Sequence, residues 1–238
     1  MDEFVEKFKQ NYQLGNFIMG DENDPYSFYW ARSDERFIIP LDEFRIPKRL
    51  KRKIKTNPFC LTINKNCPLV IDHCSKRENT WINPAVKFIY TQLNKRNLVH
   101  SLETWEGETL VGGLYGVALG GVFFGESMFF NKSDSSKIAM VYLVDHLIRT
   151  GFEVLDAQMP STHLAKMGGR VISEESFRNL IGKACQKTNV HFSSIPVEES
   201  GERVIQRISQ KSNRGCSTAD KAGDCEIIQA ENNSDLSL

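Results

Sequence analysis

The 238-residue sequence predicts an α/β (α+β) fold, a domain with a mostly antiparallel central sheet plus a small N-terminal lobe. Three observations point there. Residues 100–130 read as three strand-like runs separated by Gly-containing turns, a meander whose neighbours pair antiparallel. Residues 136–150 then carry apolar side chains on more than one side (Ile138, Met140, Val141, Leu143, Val144, Leu147), the pattern of a buried helix. "FEVLDAQMP", residues 152–160, reads as a further and central strand. Apolar and charged contents of 40% and 25% are those of a soluble globular protein long enough for one substantial core, or one core and a small lobe.

Taken in order, residues 1–14 place Phe4, Val5, Phe8 and Tyr12 at helical spacing and stop at Gly15. "YSFYW" and "RFIIP" are short strand-like runs, and residues 1–44 as a whole form the lobe. Residues 45–57 predict a helix with one narrow apolar stripe, Ile46, Leu50 and Ile54, and otherwise basic faces. "FCLTI" reads as a strand, and 67–75 and 84–96 as helices around "RENTWIN". Asp134 or Ser135 should cap the buried helix. A short helix at 162–167 ends at Gly168-Gly169, and a last one covers about 174–186. The main domain is thus 45–192. From 193 to 238 the composition turns polar, with Ser, Asn, Gly, Asp and Glu in excess, and predicts a disordered tail.

Several function classes fall away. The uncharged run 109–125 holds six glycines and is flanked by Glu106, Glu108 and Glu126, which fits a hairpin and not a membrane span. The six cysteines make no CxxC pair and no zinc spacing with the five histidines, and the first ten residues are charged throughout. Reduced thiols in a cytoplasmic protein, no bound metal and no signal peptide are the expectations.

Three signals remain. Glu126 sits in "GGVFFGESMFF" among large apolar residues, and a carboxylate there either turns to solvent or faces a polar cleft. On the strand 152–160 the two-residue period puts Val154, Asp156 and Gln158 on one face, and an acid beside an amide on a central strand needs partners. Satisfying loop backbone groups is the bland alternative. Residues 45–55 hold seven bases and no acid, against ten acids and four bases in 1–44. Such a run meets an anion, and phosphate backbone is the obvious one. Trp81 could stack on a base or fill a core.

"TWI" at 80–82, "HSLETWEGETLVGGLYGVALG" at 100–120, "FFGESMF" at 123–129, "DSSK" at 134–137 and "LDAQMPSTHLAKMGG" at 155–169 together resemble bacterial leucyl/phenylalanyl-tRNA–protein transferases, from about residue 11 to about 182. The resemblance implies a main domain similar to the GCN5-related acetyltransferase fold. It implies an enzyme that moves Leu or Phe, with Met a third candidate, from aminoacyl-tRNA to the α-amino group of proteins beginning with Lys or Arg, creating N-end-rule degradation signals. The ester is already activated, so neither ATP nor a metal or other cofactor is needed.

On the same basis Asp156 and Gln158 are the catalytic pair, with two roles open for Gln158: its oxygen receives the amine proton, or it positions the amine. Glu126 matches the acid facing the acceptor, and Leu114, Phe123, Met128, Met140 and Leu143 match the pocket for the donor side chain. Trp81 matches the tryptophan near the terminal adenosine of tRNA. Met19 stands where the family has another such tryptophan, and Trp30 matches a third. Lys48, Arg49, Lys51, Arg52, Lys53 and Lys55 correspond to the patch for the acceptor stem. The chain begins just before the family's Y-x-x-G-x-F segment, here Tyr12–Phe17, without its "N-G-L-L-A" block. A monomer is expected. Two other readings are an acyl-CoA N-acyltransferase, against which the lack of an R/Q-x-x-G-x-G/A segment counts, and a non-catalytic tRNA-binding module.

Overall fold

Residues 2–56, 59–77, 80–192 and 195–219 are described by a computed structural model, 214–219 as backbone only. Among the described residues, nine strands form two sheets, with eight helices beside them. Helix α1 (Asp2–Gln13) buries Val5, Phe8 and Tyr12, spaced three and four apart on one face. Strands β1 (Phe17–Gly20) and β2 (Phe28–Ala31) pair antiparallel as a separate ribbon. The remaining strands are β3 (Glu35–Pro40), β4 (Cys60–Ile63), β5 (Val99–Glu106), β6 (Thr109–Leu119), β7 (Val122–Phe130), β8 (Val154–Gln158) and β9 (Arg170–Ser173). They form one sheet in the order β4-β5-β6-β7-β8-β3-β9, antiparallel throughout except for β7 and β8.

The expected meander, buried helix and central strand are all present. The parallel step from β7 to β8 requires a crossover, which helix α5 (Ser135–Thr150) supplies. At the tight β6–β7 turn Gly120 has φ +54°, and a side chain there would strike the Cys185 carbonyl.

The sheet is covered on both faces. On one lie α1, the β1–β2 ribbon, α3 (Cys67–Cys74), α4 (Pro84–Asn94) and α7 (Glu174–Ala184), with Phe8, Tyr12, Ile71, Tyr90, Phe124 and Phe177 in their core. On the other lie α2 (Lys48–Lys55), α5, α6 (Thr162–Ala165) and α8 (Gly201–Ala219), over Leu50, Phe123, Leu143, Leu155 and Val204. We call these the α4 face and the α5 face.

Three expectations need correction. The lobe does not end at residue 44: β3 lies between β8 and β9 in the main sheet, so only α1 and the ribbon stand apart from it, and their side chains share the α4-face core. Asp134 does occupy the N-cap of α5, but in a left-handed conformation (φ +67°) with no capping bond. Its carboxylate pairs instead with Lys53 and Lys137. The tail from 193 is not wholly disordered, because 201–219 are helical. Val204 and Ile208, four apart, are 0% and 1% exposed against α5, Arg207 pairs with Asp145 and Glu198, and the Ser212 hydroxyl donates to the Phe44 carbonyl at 2.7 Å. A composition argument averages over this stripe of apolar residues and misses it. Residues 220–238 lie outside the described residues.

Ile208→Ala should therefore cost roughly 2–5 kcal/mol in urea unfolding, the usual loss for a truncated core isoleucine. An unchanged midpoint would mean that α8 does not dock on α5.

Candidate active site

The burial of Glu126 among apolar residues is set by its strand. Across β6 and β7, Tyr115 faces Ser127 while Gly116 faces Gly125, so Glu126 is the extra residue of a β-bulge. Alternation from Val122 and Phe124, both in the α4-face core, points Glu126 into the same face, 3% exposed, and the bulge then turns Met128 to the α5 face and Phe129 to the α4 face. Its Oε1 accepts from the Tyr12 hydroxyl at 2.8 Å and its Oε2 from the Tyr90 hydroxyl at 2.7 Å. The two phenol oxygens are 2.9 Å apart. Helices α1 and α4 thus each deliver one hydroxyl to one carboxylate. Burial pushes the Glu126 carboxyl up to about 7, and the hydrogen bonds from Tyr90 and Tyr12 and the nearby Gln158 amide pull it only partly back. Burial, followed by the charge of Glu126, holds both tyrosines well above the ordinary phenol range.

The second element is on β8. Asp156 is fully buried beside Arg36 of β3, itself 1% exposed. Arg36 Nε lies 3.0 Å from both carboxylate oxygens and its Nη2 2.6 Å from Oδ2, while Nη1 donates to the Gly15 carbonyl at 2.8 Å. The guanidinium is packed between the rings of Phe17 and Phe177, 4.9 and 4.7 Å from their centroids. Burial works against its charge, but Asp156 outweighs burial and holds Arg36 above its ordinary value. A lone buried charge would be untenable here; the pair is fully hydrogen-bonded.

Asp156 Oδ1 also accepts from the backbone N–H of Gln158 at 2.9 Å. Gln158 has φ +61°, a left-handed conformation that a non-glycine residue keeps only when its surroundings enforce it. The carboxylate of Asp156 therefore grips the main chain of Gln158 and not its amide. The side chain of Gln158 is 7% exposed, and its Nε2 has no hydrogen-bond partner of normal geometry among the described residues, although the amide lies close enough to Glu126 to favour its ionised form. Beyond Phe124 and Asp156 the parallel pairing of β7 with β8 stops, so the two strands part where Glu126 and Gln158 stand.

The other predicted residues divide by face. Met19, Trp30 and Trp81 are half-buried against the α4-face core, near the tyrosines: Trp30 is 6.3 Å from the Tyr12 ring, and Trp81 is 6.4 Å from that of Tyr90. The Gly20 amide donates to the Trp81 carbonyl at 3.0 Å, tying the ribbon to the 80–82 loop. Leu114, Phe123, Met128, Met140 and Leu143 all lie in the α5-face core, each 7% exposed or less, across the sheet from the Glu126 carboxyl. On α2, Lys53 pairs with Asp134 and Lys55 with Glu202 at 3.8 Å, while Lys48, Arg49, Lys51 and Arg52 form no ion pair among the described residues. Sequence reasoning did not pick out Arg36, Tyr12 or Tyr90. The available signals were Tyr12, which heads the Y-x-x-G-x-F segment, and Arg36, a cation heading the apolar run "RFIIP".

Comparison with known proteins bears directly on this site. The family model described as "Leucyl/phenylalanyl-tRNA protein transferase" matches residues 38–182, which span β3 to α7 and include Glu126, Asp156 and Gln158. A Caulobacter vibrioides protein of that name is 42% identical over 205 residues, 84% of this chain and 94% of its own length. One from Gloeothece citriformis is 44% identical over 176 residues, 74% and 91% of the two chains, and one from Maricaulis maris is 38% identical over 212, 87% and 98%. Among solved structures, "The structure of L-PGS from Bacillus licheniformis" aligns at a TM-score of 0.36 and 15% identity over 67% of this chain and 54% of that one, too distant to carry weight. The family model and the relatives define an enzyme of the transferase class. The chain belongs to the leucyl/phenylalanyl-tRNA–protein transferase family.

The buried acid has a measurable consequence. Glu126 binds its proton up to about 7 when folded but only to 4.5 when unfolded, so its contribution to stability is full at low pH and is lost as pH rises between those values. Glu126→Gln should flatten that decline in urea-melt profiles taken across this window. A decline identical to the wild type's would place the titration elsewhere.

Proposed function

We propose that this protein transfers leucine or phenylalanine, with methionine a third candidate, from aminoacyl-tRNA to the α-amino group of proteins beginning with Lys or Arg, marking them for N-end-rule degradation in the cytoplasm. The observation that carries the reading is the grouping, on one face of the sheet and at one strand opening, of Glu126, Gln158 and the Arg36–Asp156 pair in a chain of this family. Aminolysis of an activated ester needs no further activation. It needs a neutral amine held against the carbonyl, and proximity supplies much of the rate.

The charges suit a cationic acceptor. Arg36 neutralises Asp156, which leaves Glu126 as the acid that meets the incoming N-terminus. Asp156 acts as a positioning residue, because its oxygens are occupied by Arg36 and the Gln158 main chain, and Gln158 orders the reacting groups by hydrogen bonds. Trp81, Trp30 and Met19 offer apolar surface for the terminal adenosine. The donor side chain passes between the parted ends of β7 and β8 toward Leu114, Phe123, Met128, Met140 and Leu143, a lining that fits unbranched or γ-branched apolar groups. The free cations of α2, Lys48, Arg49, Lys51 and Arg52, would take the acceptor-stem backbone, with little dependence on its sequence. No helix among the described residues is long and apolar enough to cross a membrane.

The test is transfer of labelled leucine from Leu-tRNA, without ATP, to a peptide beginning with Arg beside a matched peptide beginning with Asp. Label on the Arg peptide alone is expected. Reversing Lys48, Arg49 and Arg52 to Glu should weaken tRNA binding at least tenfold and flatten its salt dependence. Tight tRNA binding with label on neither peptide would favour a non-catalytic tRNA-binding module.

A further inference from the structure

We infer that Glu126 is the proton acceptor for the attacking amine and that the Nε2 of Gln158 donates to the carbonyl oxygen of the ester, with Tyr12 and Tyr90 setting the readiness of Glu126. The inference deepens the aminoacyl-transfer reading above and rests on it. Two features of the geometry lead to it. Gln158 presents a buried donor, Nε2, that lies near Glu126 but has no hydrogen-bond partner of normal geometry among the described residues, and a buried donor left open costs about 1–3 kcal/mol unless a ligand fills it. What such a donor lacks is an acceptor oxygen, which an ester carbonyl supplies and an amine does not. Glu126, meanwhile, uses one lone pair of each oxygen on Tyr12 and Tyr90 and keeps the others. What it lacks is a donor N–H, which the amine supplies.

The family assignment that makes the Gln158 oxygen a proton acceptor, polarised by Asp156, meets a difficulty here. Asp156 touches the main-chain N–H of Gln158, and its charge is met by Arg36. An amide is also a far weaker base than a carboxylate. The step balances as follows. The amine nitrogen bonds to the ester carbon, the carbonyl π pair moves onto oxygen beneath Nε2, and the amine proton passes to Glu126. The tetrahedral adduct then expels the terminal ribose oxygen of the tRNA, which takes the proton from Glu126. The amide and a free hydroxyl result, and Glu126 is ionised again. No oxidant, metal or nucleotide enters.

The groups facing Glu126 are Tyr12 of α1, Tyr90 of α4, Tyr115 of β6, Arg36 of β3, and Asp156 and Gln158 of β8. Arg36 and Asp156 cancel, and the three phenols stay neutral well above the working range, so one group is left to titrate there. Its carboxyl is already raised to about 7.

Single-turnover transfer with excess protein, followed against pH with two acceptor peptides whose α-amines differ in pKa, tests this. We expect the wild-type rate to rise through two limbs, one near 7 that is the same for both peptides and one that follows each peptide's own amine. Glu126→Gln should remove the shared limb and slow the step by on the order of 100-fold or more, with the acceptor KM within a few fold. Tyr12→Phe and Tyr90→Phe, which each delete one donor to the carboxylate, should move the shared midpoint upward, and they decide the matter if Glu126→Gln does not fold. A profile with only the limb that follows each peptide's own amine, or a Glu126→Gln protein that raises KM while keeping kcat and the shared limb, overturns the assignment. Wild-type protein that transfers to no peptide overturns the parent reading instead.

Discussion

The buried pair of Arg36 and Asp156 is the interaction on which the rest of the site depends. It joins β3 to β8 at the place where β8 ends, and through Nη1 it also holds the Gly15 carbonyl at the end of α1. Removing one partner of such a pair strands the other charge, which typically costs about 3–5 kcal/mol. The pair therefore ties three things together: the insertion of β3 into the main sheet, the seat of α1, and the left-handed turn at Gln158. Since α1 carries Tyr12, a disturbance at Arg36 reaches Glu126 without any direct contact.

The sheet then divides the labour between its faces. Polar groups gather on the α4 face, where the alternation of β7 at Glu126 and the turn at Gln158 place them beside the tyrosines. The α5 face is mainly apolar and includes the long α5, twelve of whose sixteen residues are buried. Between the two faces, the pairing of β7 with β8 ends at Phe124 and Asp156. A substrate with a charged amine, an activated ester and an apolar side chain suits a site arranged in that way, with polar chemistry on one side of a strand opening and a thioether and aliphatic lining on the other.

Much of this was legible in the sequence because local rules and the fold agree. The meander, α5 and β8 follow from alternation and helical spacing, and α3 and α4 both begin at an Asn that caps them, Asn66 and Asn83. Asp156 and Gln158 stood out as polar residues on a central strand. What stayed hidden was set by long-range contact. Tyr12 and Tyr90 look like ordinary core aromatics until their hydroxyls meet at Glu126, 114 and 36 residues away. Arg36 reads as a strand-end cation until β3 is seen beside β8. The docking of α8 was obscured by its polar flanks, and the strand alternation that assigns pocket residues to a face could not reveal the bulge.

The central claim is that Arg36 serves catalysis through Asp156 and not by a separate route. A double-mutant cycle on the single-turnover transfer rate, with Arg36→Gln, Asp156→Asn and the pair, measures this directly. The account predicts strong coupling: both singles are slow, and the double is no slower than the worse of them, an interaction energy of at least about 1 kcal/mol. Effects that simply add would contradict it, and would mean that Arg36 and Asp156 act on the reaction independently.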